Sequence, residues 1–158
     1  MDLQKVFRIG IAVAIVLIIV IIITQLFSGF SLFGKKRSVT IGKQTFQVEL
    51  AETEAQKILG LSGRKSLGEK NGMLFTFSTA DYHAFWMKNT LIPLDIIYIN
   101  NDTIVTIHKK IPPVAKDTPN QNIPTITSSG PANKVLELNA GTADKYGFKV
   151  GDKVTFSL

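Results

Sequence analysis

The sequence predicts a mainly β domain of the α+β class, a compact barrel or half-barrel of short strands with two small helices, preceded by one transmembrane helix. Apolar and polar residues alternate over several short segments after residue 38, as in half-buried strands. Gly, Asn and Pro separate these segments. A long apolar run lies near the N-terminus. The length of 158 residues corresponds to about one domain.

The apolar run predicts a membrane-spanning helix. No charge occurs between Arg8 and Lys35, and residues 9–27 would form a helix about 28 Å long, close to the thickness of the bilayer's hydrocarbon core. A cleaved signal peptide needs a shorter apolar core and small residues before the cleavage site. We therefore expect residues 1–8 to form a tail, residues 9–27 an uncleaved anchor in the lipid bilayer, and residues 28–38 a linker.

The orientation of this anchor is ambiguous from charge alone. Counting basic residues on both sides of the span places the C-terminal domain in the cytoplasm. A short basic tail before the span, with Lys5 and Arg8, is instead typical of a signal anchor that exports the C-terminal domain.

Residues 39–158 are expected to form the β-rich domain. Alternation over residues 39–50 predicts a hairpin. Thr53 and Gln56 have the spacing of a capping box, which predicts a short helix through Leu59. The further predicted elements are strands at 73–77 and 84–87, a hairpin of 95–99 with 104–109, a long proline-rich loop at 111–129, a strand at 135–139, a helix at 141–146 and a last strand at 153–156.

Composition excludes several classes of function. The absence of cysteine rules out disulfides, thiolate metal sites and a cysteine nucleophile. Residues 38–158 hold 13 basic and 11 acidic residues, so no nucleic-acid partner is expected. His83 and His108 lack metal-ligand spacing, and no glycine-rich cofactor motif occurs. We therefore expect no metal and no cofactor.

Polar residues that could carry chemistry concentrate between residues 85 and 96. Trp86, Lys88, Asn89 and Asp95 flank Pro93, which forces an extended or turned backbone. Such a bend could gather them at one end of a barrel. The alternative is structural: Asp95 would accept backbone hydrogen bonds and Trp86 would belong to the core.

The chain resembles the family known as domain of unknown function 192. The resemblance rests on Gly60-Leu61 with Arg64, GMLFTF (72–77), FWMKNTLIPLDIIYI (85–99), VLELNAG (135–141) and YGFKVGDKV (146–154). It implies a small mixed β domain in mostly prokaryotic proteins, commonly behind an N-terminal hydrophobic segment, with no established activity. Because leaders are common in the family, the resemblance favours an extracytoplasmic domain.

Polar residues inside these strings, together with Trp86, form the candidate binding site: Arg64, Lys88, Asn89, Asp95, Glu137 and Asn139. Glu137 alternates with Leu136 and Leu138 along one strand. If the leucines face the core, Glu137 is expected to be exposed. If the sheet closes into a barrel, Glu137 could instead point into a polar pocket near Arg64 or Lys88.

Three functions are compatible with these residues. We favour a membrane-tethered binding or accessory module of the cell envelope, whose partner is a small ligand or an envelope protein. In it, Arg64 and Lys88 would recognise an anionic group beside the flat surface of Trp86. A hydrolase or lyase would pair the carboxylates of Asp95 and Glu137 and use Lys88 as an electrostatic stabiliser. A purely structural interaction domain is the third possibility.

Overall fold

The computed structural model describes residues 37–115 and 117–158. The predicted tail and the predicted membrane span at 9–27 lie outside these residues, as does nearly all of the predicted linker. In the part that is described, no helix is both long and apolar enough to cross a bilayer.

The described domain contains nine strands, two short α-helices and one 3-10 turn. The strands are β1 (Ser38–Ile41), β2 (Gln44–Ala51), β3 (Asn71–Asp81), β4 (Ala84–Phe85), β5 (Leu94–Asn100), β6 (Thr103–Ile111), β7 (Ile126–Thr127), β8 (Ala132–Asn139) and β9 (Val154–Ser157). The helices are α1 (Glu54–Leu59) and α2 (Thr142–Tyr146), and the 3-10 turn is Asn120–Asn122.

Seven strands form one curled sheet in the order β6-β5-β8-β3-β2-β1-β9. All neighbours are antiparallel except β2 and β3, which run parallel and are connected through α1. The two ends of the sheet meet where Thr103 bridges to Lys153. There the Val154 N–H donates to the Asp102 carbonyl at 2.8 Å. The predicted mainly β half-barrel with two small helices is confirmed.

Both faces of the central strands β3, β5 and β8 are buried. One face, with Leu74, Ile97 and Leu136, packs into a cluster that draws on all seven strands, here called the barrel core. The other face, with Phe75 and Val135, packs against loops in a second cluster, here called the second core. Burial on two sides explains why β5 is apolar at almost every position.

Local sequence signals were accurate at α1. Thr53 accepts from the Gln56 N–H at 3.3 Å, and the Gln56 side chain accepts from the Thr53 N–H at 2.9 Å, so the predicted capping box is formed.

The prediction of one continuous loop at 111–129 is wrong at its end. Residues 126–127 form β7, which pairs with β4 in a separate two-stranded sheet. Pro124 is the last proline of this segment, and the chain after it has the free N–H groups that a ladder requires. Its partner β4 also has only two residues, so the strand predicted at 84–87 ends at Phe85.

Candidate functional site

A cleft runs beside α1 on the side of the second core. Its walls are Ile58 and Leu59 of α1 on one side and Trp86 and Lys88 on the other, and Glu137 lies at its floor. We call it the α1 cleft. It comprises two open cavities of about 620 and 280 Å³ and a smaller, deeper floor cavity of about 30 Å³. Apolar walls with a few polar groups at the base are typical of ligand sites.

Two buried polar side chains reach the floor cavity. Glu137 is 5% exposed and Thr90 is 7% exposed. Among the described residues, neither side chain has a hydrogen-bond partner. Burial raises the pKa of the Glu137 carboxyl to about 8, so it is protonated at neutral pH. The floor therefore presents a neutral carboxylic acid and a hydroxyl, both free to bond to something else.

The sheet register places Glu137 at this position. Glu137 pairs with Met73 on β3 and with Ile96 on β5, while Leu136 and Leu138 point into the barrel core. The expectation that Glu137 would be exposed if those leucines face the core is wrong. It overlooked the second core, which covers the opposite face of the same strand.

Two consecutive aromatic residues at the end of β4, Phe85 and Trp86, point in opposite directions. Phe85 turns inward, with its ring 4.9 Å from that of Phe75 and 5.9 Å from that of Tyr98. The next residue, Trp86, lies just beyond the end of β4, turns outward and is 46% exposed. An exposed indole at the mouth of the cleft is the flat apolar surface that the sequence suggested.

Lys88 stands beside that indole. Its Nζ lies 5.4 Å from the centroid of the Trp86 ring, at cation–π distance. No carboxylate among the described residues forms an ion pair with it. Lys57, at the other side of the floor, is different, since its Nζ is 2.9 Å from Glu54. Lys88 thus contributes a positive charge without a partner in the described domain.

Asn89 shapes the turn next to Lys88. It has a left-handed φ of 55°, which asparagine tolerates better than most residues. Its carbonyl accepts from the Gly63 N–H at 2.9 Å, so the turn is fastened to the loop after α1. Its side chain is exposed along the larger cavity. Asn89 serves the turn and also lines the cleft.

The 280 Å³ cavity contains residues that the sequence did not suggest. The His83 ring stacks on Phe77 at 3.5 Å, and its Nε2 is buried without a hydrogen-bond partner in the described chain. Lys57 Nζ lies 4.6 Å from the same Phe77 ring. Thr90 was also missed, although it lies inside the FWMKNT string. Ile58 and Leu59 lie at the end of the helix that the capping box predicts, but only the structure shows that this helix buries no side chain and leaves both residues exposed.

Three of the predicted site residues lie elsewhere. Arg64 forms a bidentate ion pair with Glu49. Asn139 Nδ2 donates to the carbonyls of Leu67 and Gly68 at 3.1 and 3.0 Å. Asp95 is buried and accepts only backbone N–H groups. These polar side chains are used for folding, so the cleft gathers Trp86, Lys88, Asn89 and Glu137 of the predicted set but not these three.

The carboxylate pair of the enzyme hypothesis is not formed. Asp95 pairs with Leu138, and Ile96 pairs with Glu137. Adjacent positions on neighbouring strands face opposite sides of a sheet, so Asp95 faces the barrel core and Glu137 the second core. The two carboxyl groups cannot act on one substrate across a packed sheet. In the described residues, no three His, Asp or Glu side chains are grouped as metal ligands.

Two solved structures share this fold. One is a protein from Sinorhizobium meliloti 1021 provisionally described as a transcription regulator; it is 36% identical with a TM-score of 0.69, covering 78% of this chain and 95% of that one. The other is a protein of unknown function from Novosphingobium aromaticivorans; it is 37% identical with a TM-score of 0.67, covering 76% and 83%. No curated protein matches the chain.

The family model DUF192, described as an uncharacterised ACR, matches residues 37–156. That match takes in the half-barrel except for the last residue of β9, and it includes the whole α1 cleft. The chain therefore belongs to the DUF192 family.

Proposed function

We propose that the β domain is a small-ligand binding module and that its site is the α1 cleft. One observation carries the proposal: Glu137 is buried at the floor of an open cleft and has no hydrogen-bond partner among the described residues. Native proteins pair nearly all of their buried polar groups. A carboxyl group left unpaired at the base of a cleft is best explained by a ligand that completes its bonding.

The energetic cost supports this interpretation. A polar group that is buried with no partner at all costs about 1–3 kcal/mol of stability; the Glu137 carboxyl keeps a little contact with the cleft and so bears part of this cost, which an apolar residue at the same position on β8 would avoid. The exposed Trp86 adds a second cost, because a large aromatic surface is left in contact with water. Both features lie in one cleft, and a bound ligand would offset both.

Charge favours a small ligand over nucleic acid. The domain is close to electrical balance, with 13 basic and 11 acidic residues between 38 and 158, and a DNA-binding surface requires a strongly basic face. We therefore do not expect this chain to bind DNA, although the similar protein from Sinorhizobium meliloti is described as a transcription regulator.

An NMR fragment screen on the full chain tests the binding function. Trp86 is the only tryptophan, so the single indole N–H resonance reports on the cleft directly. Fragments that bind should shift this resonance together with the backbone amides of Ile58 and Thr90, and the shifts should saturate. Glu137→Leu should weaken those fragments at least tenfold. Fragments that leave the indole resonance unmoved, or that bind the variant equally well, would overturn the proposal.

We also propose that residues 9–27 anchor this module in a membrane, with the β domain on the extracytoplasmic side. The support is the uncharged apolar run and the exported character that the family resemblance implies. Because the chain has no cysteine, Lys43→Cys in the exposed β1–β2 turn gives a unique label site. A membrane-impermeant maleimide should label it without cytoplasmic membrane disruption. Labelling only after that membrane is broken would place the domain in the cytoplasm.

A further inference from the structure

Building on the proposed function, we infer that the ligand of the α1 cleft is a small organic carboxylate. Its carboxylate group would occupy the floor cavity between Lys88, Thr90 and Glu137, and its apolar body would lie between Ile58 and Trp86. If the module binds no ligand at all, this inference fails with it.

The floor offers hydrogen-bond donors. The Lys88 ammonium can only donate, the Thr90 hydroxyl can donate, and a protonated Glu137 carboxyl donates its O–H. Three donors that converge on one small cavity match the several lone pairs of a carboxylate. A ligand ammonium would find there no ionised acceptor and would meet the charge of Lys88.

The local charge also favours an anion. Lys57 is offset by Glu54 at 2.9 Å, whereas Lys88 has no carboxylate partner in the described domain. With Glu137 protonated, the floor carries a net positive charge. Binding an anion would neutralise Lys88 in a site that is partly shielded from water, where such charge-assisted bonds are strongest.

Size distinguishes a carboxylate from larger anions. The floor cavity measures about 30 Å³, and a water molecule needs about 10–15 Å³ by the same measure. The space therefore holds about two oxygen atoms, as in a carboxylate, and is too small for the three or four oxygens of a sulfonate or phosphate. The adjoining cavity of about 620 Å³ leaves room for an aromatic or alicyclic body against Trp86.

Ionisation of Glu137 should control the affinity. Three other ionisable groups surround it: Lys57 from α1, Lys88 from the segment after β4, and Tyr98 from β5. The phenol of Tyr98 has its pKa raised, first by burial and then by Glu137, and it donates to the Ile126 carbonyl at 2.7 Å, so it stays neutral. When Glu137 ionises, the floor loses a donor and gains a negative charge that repels the ligand.

Three matched probes test the ligand class on the full chain: phenylacetate, phenylacetamide and phenethylamine, with binding followed by Trp86 fluorescence. At pH 7 we expect phenylacetate to bind at least tenfold more tightly than the amide or the amine. Its affinity should fall about tenfold per pH unit above pH 8, the pKa of Glu137. Lys88→Met should weaken phenylacetate about tenfold, and Lys43→Met, which removes a lysine outside the cleft, should not.

The possible failures are distinguishable. If the amide or the amine binds as tightly as phenylacetate, the carboxylate class is wrong and the binding module stands. If phenylacetate fails to bind at millimolar concentration while fragments still shift the Trp86 indole resonance, the carboxylate class is again wrong and the binding module again stands. If neither the probes nor the fragments perturb Trp86, the binding module falls as well.

Discussion

One Asp95 oxygen, Oδ2, accepts the backbone N–H of Ala143 at 2.7 Å. The other, Oδ1, accepts from Gly141 at 3.0 Å and from Lys110 at 2.8 Å. A single buried carboxylate therefore connects β5 to β6 and to the first turn of α2. These hydrogen bonds use both oxygens, which explains why Asp95 is a structural residue and leaves Glu137 as the candidate for chemistry.

Asp95→Asn should destabilise the domain markedly. The amide keeps one acceptor oxygen but places an NH₂ group against a backbone N–H, and hydrogen bonds to a charged group are worth about 1.5–3 kcal/mol each. We expect urea denaturation to show the free energy of unfolding lower by about 2–4 kcal/mol. Asp117→Asn, in an exposed loop, should change it by less than about 0.5 kcal/mol. If Asp95→Asn is as stable as Asp117→Asn, the structural role of Asp95 is wrong.

Elements governed by neighbouring residues could be predicted from the sequence. The capping box of α1 needs only Thr53 and Gln56 three positions apart. The β5–β6 hairpin turns at Asn101, which has a left-handed φ of 55°. In both places the interacting groups are close along the chain, so residue type and spacing carry the information.

Relationships between distant residues could not be predicted in this way. The partners of Asp95 lie 15, 46 and 48 positions away, and the strand β7 exists only because β4 is beside it. The burial of Glu137 depends on the second core, in which loop residues such as Leu61, Met87 and Ile92 cover the outer face of the central strands. Alternation along β8 separates two faces but does not tell whether one or both are covered. The sequence thus predicted candidate site residues from their chemical type alone. Only the tertiary structure distinguishes those that line the α1 cleft from those that stabilise the fold.

Gly72 should not tolerate a side chain. A Cβ at this position would lie 2.7 Å from the Glu137 carbonyl oxygen and 2.7 Å from the Leu138 side chain. Because the carbonyl is held in the β3–β8 ladder, it cannot move aside at low cost. We expect Gly72→Ala to lower the free energy of unfolding by about 1–3 kcal/mol in urea.

Gly130→Ala is the matched control for this change. No atom lies within 4 Å of the added Cβ at that position, so the same substitution should be nearly neutral. A Gly72→Ala variant as stable as Gly130→Ala would show that β3 and β8 can separate there, and that the floor of the α1 cleft is less rigid than the register indicates.

Tyr98→Phe tests the link between the second core and β7. The Tyr98 hydroxyl is buried and donates to the Ile126 carbonyl at 2.7 Å. Removing it forfeits this bond inside the protein, which should cost about 1–2 kcal/mol in thermal or urea unfolding. The exposed Tyr82 serves as the control, and Tyr82→Phe should leave stability unchanged. A neutral Tyr98→Phe would mean that β7 is held by its pairing with β4 and by the His108 Nε2 contact to the Thr127 carbonyl at 2.8 Å.

The stability of the domain should fall as the pH rises from about 4.5 to about 8. Glu137 has its ordinary pKa near 4.5 in the unfolded chain, and burial raises it to about 8 in the folded protein. Between these values the folded state keeps a proton that the unfolded state has lost, so each rise in pH favours unfolding. The stability that the folded protein gains from keeping Glu137 protonated is fully present below pH 4.5 and lost above pH 8. Its slope approaches about 1.4 kcal/mol per pH unit.

Glu137→Gln isolates this contribution, because the amide has nearly the same shape and never ionises. Urea unfolding from pH 5 to pH 9 should give a wild-type curve that declines relative to the variant and then runs parallel to it above pH 8. Glu52→Gln, which removes an exposed carboxyl, should keep the wild-type slope. If wild type and Glu137→Gln run parallel throughout, the carboxyl ionises as it does in water. The floor of the α1 cleft would then be solvated already. Water would account for the unpaired carboxyl of Glu137, and neither a ligand nor a ligand carboxylate would be needed.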